Sequence, residues 1–225
     1  MKRLTPFCLL AFLILLVLLP LVFGAVMAGS LAKLHLRPGD AVFLTLAIFT
    51  GSLINIPVRR IPHDRQVETH PLAIFGLQQA MPRFGSVRRE TVIAVNVGGC
   101  VIPTLVAIYE AAHLAVLGPR PIIGGAAALI LNIAFCDRLA RPVPGVGILL
   151  PGLVPGLAAA LMGILFVPAE AAPVAFIAGV MGPLIGADLF HLKEIEQSGV
   201  GVASIGGAGT FDGIVLSGII AAYLA

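Results

Sequence analysis

Long apolar runs, interrupted by short polar breaks, fill almost the whole 225-residue chain. A membrane-crossing helix needs roughly 20 predominantly apolar residues. Seven runs approach that length, at about 6–28, 40–58, 91–117, 121–136, 145–167, 171–190 and 199–224. The pattern predicts an all-α fold, a polytopic transmembrane helix bundle of about seven spans forming one membrane domain over residues 1–225. The first run is longer than a secretory h-region of roughly 7–15 residues and is read as a retained helix. Val26-Met27-Ala28 followed by Gly29-Ser30 nonetheless resembles a cleavage site.

The one sizeable polar break, 59–90, reads as a cytoplasmic loop. Pro71 to Met81 within it is amphipathic enough for a short interfacial helix. His63, Asp64, Glu68 and His70 are taken as solvated loop residues, not a metal site.

Two runs are predicted to be broken or re-entrant, near 144–156 and 199–210. Pro144, Gly145, Gly147, Pro151, Gly152, Pro155 and Gly156 crowd the first of them, and proline inside a helix removes a hydrogen bond and kinks it. Irregular backbone at membrane depth has to be covered by protein or line water. The second break holds Gly199 to Gly209 with Ser204 and Thr210, leaving Phe211 to Leu224 as a short helix with Asp212 in its first turn.

Charge sets the orientation. With the N-terminus inside, eleven of the 14 Lys and Arg residues fall in inner segments, and only Lys33, Arg37 and Arg120 fall outside. By the positive-inside rule the chain has its N-terminus cytoplasmic and its C-terminus outside, and the membrane expected is a prokaryotic inner one. Composition agrees: 59% of residues are hydrophobic and 11% charged, against about 25% charged in soluble domains. The formal charge of +3 lies between spans and does not point to nucleic acid. The partners expected are the lipid bilayer and an unidentified substrate, and the small size argues for a homo-oligomer. Cys8, Cys100 and Cys136 have neither zinc-ligand nor disulfide-framework spacing. No nucleotide loop, Ser/His pair or haem motif occurs, and no cofactor is called for.

Polar side chains inside the apolar runs are the candidates for function, because an ionisable group in a span is costly. Asp188 closes one run and Asp212 lies in the next, just after Gly206, Gly207 and Gly209. Two nearby carboxylates in a low-dielectric site cannot both ionise cheaply, so such a pair holds an acid and a base together and can activate water. In a continuous helix the two would differ in depth by about 20 Å, so the reading requires the glycine segment to fold back. Asn55, Asn96 and Asn132, with Ser204, Gly207, Gly209 and Thr210, are the candidate cavity-lining or substrate-binding residues. Singly, each Asn reads as interhelical glue; together they suggest a polar cavity. LINIPVRRIP (53–62) and LNIAFCDRLARP (131–142) share a frame that hints at a duplicated unit. Asp137 and Arg138 read as a boundary ion pair, and Glu110 and His113 as hydrated.

The ending, with one aspartate on a span and a Gly-x-Gly turn before another, resembles the intramembrane aspartyl proteases, presenilin-like and prepilin-peptidase-like. The resemblance implies catalytic roles for Asp188 and Asp212. Gly207-Ala208-Gly209-Thr210-Phe211-Asp212 carries two extra residues before the acid, and no Pro-Ala-Leu element follows. SIGGAGTFDGI, LIGADLFHL, Asn96-Val97-Gly98-Gly99 and ARPVPGVGI resemble a prokaryotic family of uncharacterised membrane proteins, domain of unknown function 1614. That likeness implies a fold and no activity. Three readings follow: an intramembrane diaspartyl peptidase, a proton- or cation-coupled transporter using the same acids, and an accessory membrane protein without catalysis.

Overall fold

The computed structural model describes residues 6–63, 89–143, 147–197 and 202–225. Apolar helices form in all seven predicted runs. They are α1 (Pro6–Leu31), α2 (Pro38–Gly51), α3 (Val97–Leu117), α4 (Pro119–Leu139), α5 (Val154–Phe166), α6 (Pro168–Leu189) and, after the short α7 (Leu192–Gln197), α8 (Gly213–Leu224). Among the described residues, three are long and apolar enough to cross a membrane: α3, α4 and α6. These mark a membrane protein. A bundle of seven full spans is not confirmed: α2, α5 and α8 have 14, 13 and 12 residues. At 1.5 Å per residue they reach only about 18–21 Å.

What shortens them is extended backbone, a feature the all-α expectation lacked. The run 40–58 ends as helix at Gly51 and continues as β1 (Asn55–His63); the run 91–117 begins as β2 (Arg89–Asn96). Ile-Pro-Val-Arg-Arg-Ile-Pro cannot continue a helix, since each proline lacks an N–H and disfavours helical backbone before it. β1 pairs antiparallel with β2, and β5 (Val202–Ile205) lies parallel on the other side of β2. The proline-rich segment before α5 forms a two-stranded hairpin, β3 (Arg141–Val143) with β4 (Gly147–Leu149). Both predicted breaks are therefore real departures from helix. The interfacial helix expected over 71–81, with Asp64, Glu68 and His70, lies outside the described residues.

α6 is the axis of the bundle. Every residue from Ala171 to Val180 is buried, as befits a helix that is apolar on all sides. It packs against α3, α4, α5 and α8 through small residues, which let backbones approach closely. A Cβ on Gly163 would strike the Ala171 carbonyl, and one on Gly179 would lie 2.8 Å from the Ser217 carbonyl. The outer helices show Leu21, Phe43, Val116, Ile123, Ile130 and Leu165 to the surroundings, an apolar surface suited to lipid.

Candidate functional site

The end of the bundle where α2 and α6 finish and α3 and α8 begin gathers most of the predicted polar residues. Asn55 and Asn96 form the first rung of the β1–β2 ladder. Asn96, fully buried, caps the start of α3: its Oδ1 accepts from the Gly99 N–H at 2.7 Å, while its Nδ2 donates to the Ser52 carbonyl at 2.8 Å and to Asn55 Oδ1 at 3.1 Å. The Ser204 hydroxyl donates to the same Asn55 oxygen at 2.6 Å. Ser52 Oγ donates to the Ile48 carbonyl at 2.6 Å. A hydroxyl has one proton to give, so the 2.8 Å contact with Thr210 Oγ1 has Thr210 as donor. One chain of bonds thus ties α2, β1, β2, β5 and the turn before α8.

That turn is built on glycine. Gly206 and Gly209 have φ of +70° and +63°, a region L-residues with a Cβ rarely occupy. Gly207 closes the turn through its N–H to the Ser204 carbonyl at 3.0 Å, and Gly209 through its N–H to the Gly206 carbonyl at 2.8 Å. The backbone of Gly206 lies directly on Gly99, where any Cβ would strike the Gly206 carbonyl. This close approach brings the turn against the first turn of α3.

The chain then delivers Asp212 as the N-cap of α8. Its Oδ1 accepts from the Ile214 N–H at 3.0 Å and its Oδ2 from the Ala208 N–H at 3.3 Å. Because 202–205 is strand and α8 starts only at Gly213, the depth mismatch expected for a continuous helix does not arise. Asp188 sits on the last stretch of α6, Pro183–Leu189, which is wound as a π-helical segment; such segments recur at functional sites. The first turn of α3, Val97–Val101, is wound the same way, and α8 packs against both. Asp188 and Asp212 thus come from neighbouring elements at the same end of the bundle, with Cys100 buried on that turn of α3. Among the described residues Asp188 accepts no hydrogen bond, whereas both oxygens of Asp212 do.

Asn132 stands apart. Fully buried, it donates to the Ala178 carbonyl at 2.7 Å and packs on Gly182 in the α4–α6 seam. The polar group therefore contains Asn55 and Asn96 but not the third Asn, which is interhelical glue. The shared Asn-Ile frame is no structural repeat either: Asn55 opens a strand and Asn132 lies inside a helix. Asp137 has His191 as its ion-pair partner, at 3.9 Å, in place of the expected Arg138.

A family model for proteins of unknown function, DUF1614, matches residues 49–224. The chain belongs to the DUF1614 family. No curated protein and no solved structure matches it, so the likeness to intramembrane aspartyl proteases rests on the local residues alone. The DUF1614 region runs from the end of α2 through α8 and holds both aspartates and the whole Asn55–Asn96 network.

Sequence reasoning missed Ser52 and Cys100 here, and Glu110 at the opposite end of the bundle. Ser52 and Cys100 gave no signal, since a serine after a helix and a cysteine in an apolar run are commonplace. Glu110, read as hydrated, is fully buried and bonded to His35; its place in mid-run between Tyr109 and Ala111 was the available clue.

Proposed function

We propose that this DUF1614 protein is an intramembrane hydrolase in which Asp188 and Asp212 work as one acid–base pair on a peptide bond. The observation that supports it is the convergence of the elements that carry these two carboxylates, with Asp212 following a glycine turn packed on the first turn of α3. Asp212, held by two backbone N–H groups, suits the charged base, since such bonds favour the ionised form. Asp188, without a donor, suits the acid. Asp212 takes a proton from water as the water oxygen bonds to the carbonyl carbon, and Asp188 gives its proton to the carbonyl oxygen. Collapse of that adduct breaks the C–N bond: the amine leaves with the proton that Asp212 holds, and one hydroxyl of the adduct returns its proton to Asp188. Asn55, Asn96, Ser204 and Thr210 hold the walls of the site through the bonds described above. Charge asymmetry supports a cytoplasmic N-terminus and an outer C-terminus, which puts the aspartates at the cytoplasmic end; the likeness to a prokaryotic family supports a prokaryotic cell membrane.

A second reading, a proton- or cation-coupled transporter, is favoured by one observation. α3 and α6 carry another acid–base cluster at their far ends, around Glu110 and Glu170, as a path across the bundle would require.

The test is binding of a peptide carrying a hydroxyl-bearing mimic of the tetrahedral adduct to purified protein in lipid. A transition-state mimic should bind far more tightly than the matching peptide, and Asp188→Asn or Asp212→Asn should remove that preference. Equal binding of mimic and peptide, with pH-driven solute flux in liposomes that Asp212→Asn abolishes, would favour the transporter. Loss of thermal stability alone would leave an accessory role.

A further inference from the structure

At the end of the bundle opposite the aspartates, three chain segments converge on one imidazole. His35 lies between α1 and α2, Glu110 and His113 lie on α3, and Glu170 lies in the first turn of α6. About 27 Å of α6 separates Glu170 from Asp188 at 1.5 Å per residue. His35 Nδ1 is 3.0 Å from Glu110 Oε2, and its Nε2 is 3.2 Å from Glu170 Oε2. The Glu110 side chain is 0% exposed, whereas those of His35 and Glu170 are 28% and 23% exposed. The second oxygen of Glu110, Oε1, is buried with no hydrogen-bond partner.

Counting protons decides what this triad holds. A neutral imidazole has one N–H and one bare nitrogen. With both carboxylates ionised, the bare nitrogen would set its lone pair against a carboxylate oxygen at 3.0 or 3.2 Å, a repulsive contact in a poorly hydrated site. Both contacts are attractive only if the triad carries a second proton, on the imidazole or on one carboxyl. His113 stacks on His35 with centroids 3.7 Å apart, and at that separation two charged rings would repel each other. Among the described residues no other charged side chain is hydrogen-bonded or ion-paired to the triad. Tyr109 donates to the His35 carbonyl at 3.0 Å, Lys33 is turned to the Tyr223 carbonyl at 2.6 Å, and Arg37, Asp40 and Arg120 stand at the starts of α2 and α4.

We propose that Glu170, His35 and Glu110 form a proton-loading site, in which partly exposed Glu170 and His35 pass a proton from the surface to buried Glu110. The ligand is the proton itself. His35 is the relay because its two nitrogens face the two carboxylates, so a proton accepted at Nε2 is matched by one released from Nδ1 to Glu110. The site is separate from the aspartate pair and stands whether or not that pair hydrolyses peptides.

The experiment is solid-state NMR of histidine-labelled full-length protein in lipid bilayers near neutral pH, with infrared spectroscopy of its carboxyl groups. The expected result is a His35 with both nitrogens protonated, or a singly protonated His35 together with a protonated-carboxyl band that Glu110→Gln or Glu170→Gln removes. A His35 with one bare nitrogen and no such band overturns the proposal. The relay is read separately, from exchange of the His35 Nδ1 proton with bulk water. Glu170→Gln should slow it by roughly 100-fold, the low end of what a positioned acid–base group contributes; an unchanged rate refutes the relay. Should that variant fail to fold, the protonation state of the wild-type protein still decides.

Discussion

Asn96 donates its side-chain amide to Asn55 at 3.1 Å across the first rung of the β1–β2 ladder, while its own oxygen caps α3. One buried side chain thus fixes where a strand stops and a helix starts. Asn96→Ala removes the cap and strands the Ser52 carbonyl and the Gly99 N–H. A lost cap costs about 1 kcal/mol and a buried unsatisfied group about 1–3 more, so the variant should lose roughly 2–4 kcal/mol in reversible unfolding from detergent micelles. Asn55 still has the Ser204 hydroxyl as donor, and Asn55→Ala should cost less.

The backbone contact between Gly99 and Gly206 leaves no room for a methyl group. Gly99→Ala is expected to displace the turn that carries Asp212 and to lower thermal stability sharply. At Gly213, the first residue of α8, an added methyl group would meet nothing within 4 Å. Gly213→Ala should leave stability unchanged or raise it by up to about 1 kcal/mol, the helix-propensity difference. Parallel melting curves of the two variants check both statements.

Asn132 serves the α4–α6 seam through its bond to the Ala178 carbonyl. Interhelical bonds of this kind in membranes are worth about 0.6 kcal/mol on average. Asn132→Ala should therefore cost about that much, plus the loss of packing on Gly182, and should leave binding of the tetrahedral mimic intact. A large loss of mimic binding in a folded variant would place Asn132 in the site after all.

Asp212 is both the N-cap of α8 and the proposed base, and two substitutions separate those roles. Asparagine caps about as well as aspartate, whereas alanine costs about 1 kcal/mol. Asp212→Asn should melt close to the wild-type protein yet lose mimic binding; Asp212→Ala should lose both. Equal melting of the two variants would show that the cap contributes little.

Much of this is legible in the chain. Each apolar run contains a helix, the glycines before Asp212 do break the last run, and the DUF1614 likeness carried by SIGGAGTFDGI and LIGADLFHL is borne out by the family match. What is not legible has a common cause. Hydropathy averaged over twenty residues cannot tell an apolar strand from an apolar helix, so it absorbs the start of β1, 55–58, and most of β2, 91–96, into spans. Ile56, Val58, Val92 and Ile93 suit either state, and only pairing across a long connection settles it. The same blindness hides Glu110, whose burial depends on His35 and Glu170 arriving from distant parts of the chain. Asn132 misleads in the opposite way, because its local string matches that of Asn55 while its neighbours in space do not.

The central claim is that Asp188 and Asp212 act as a unit. Its most direct test is the rate at which purified protein in liposomes cleaves a panel of quenched-fluorescent transmembrane peptides, compared among the wild-type protein, Asp188→Asn, Asp212→Asn and the double variant. Residues that act together are strongly non-additive. The account predicts cleavage by the wild-type protein, its loss in each single variant, and a double variant no worse than either. Retained cleavage in either single variant, or no cleavage of any peptide by a folded wild-type protein, would contradict it.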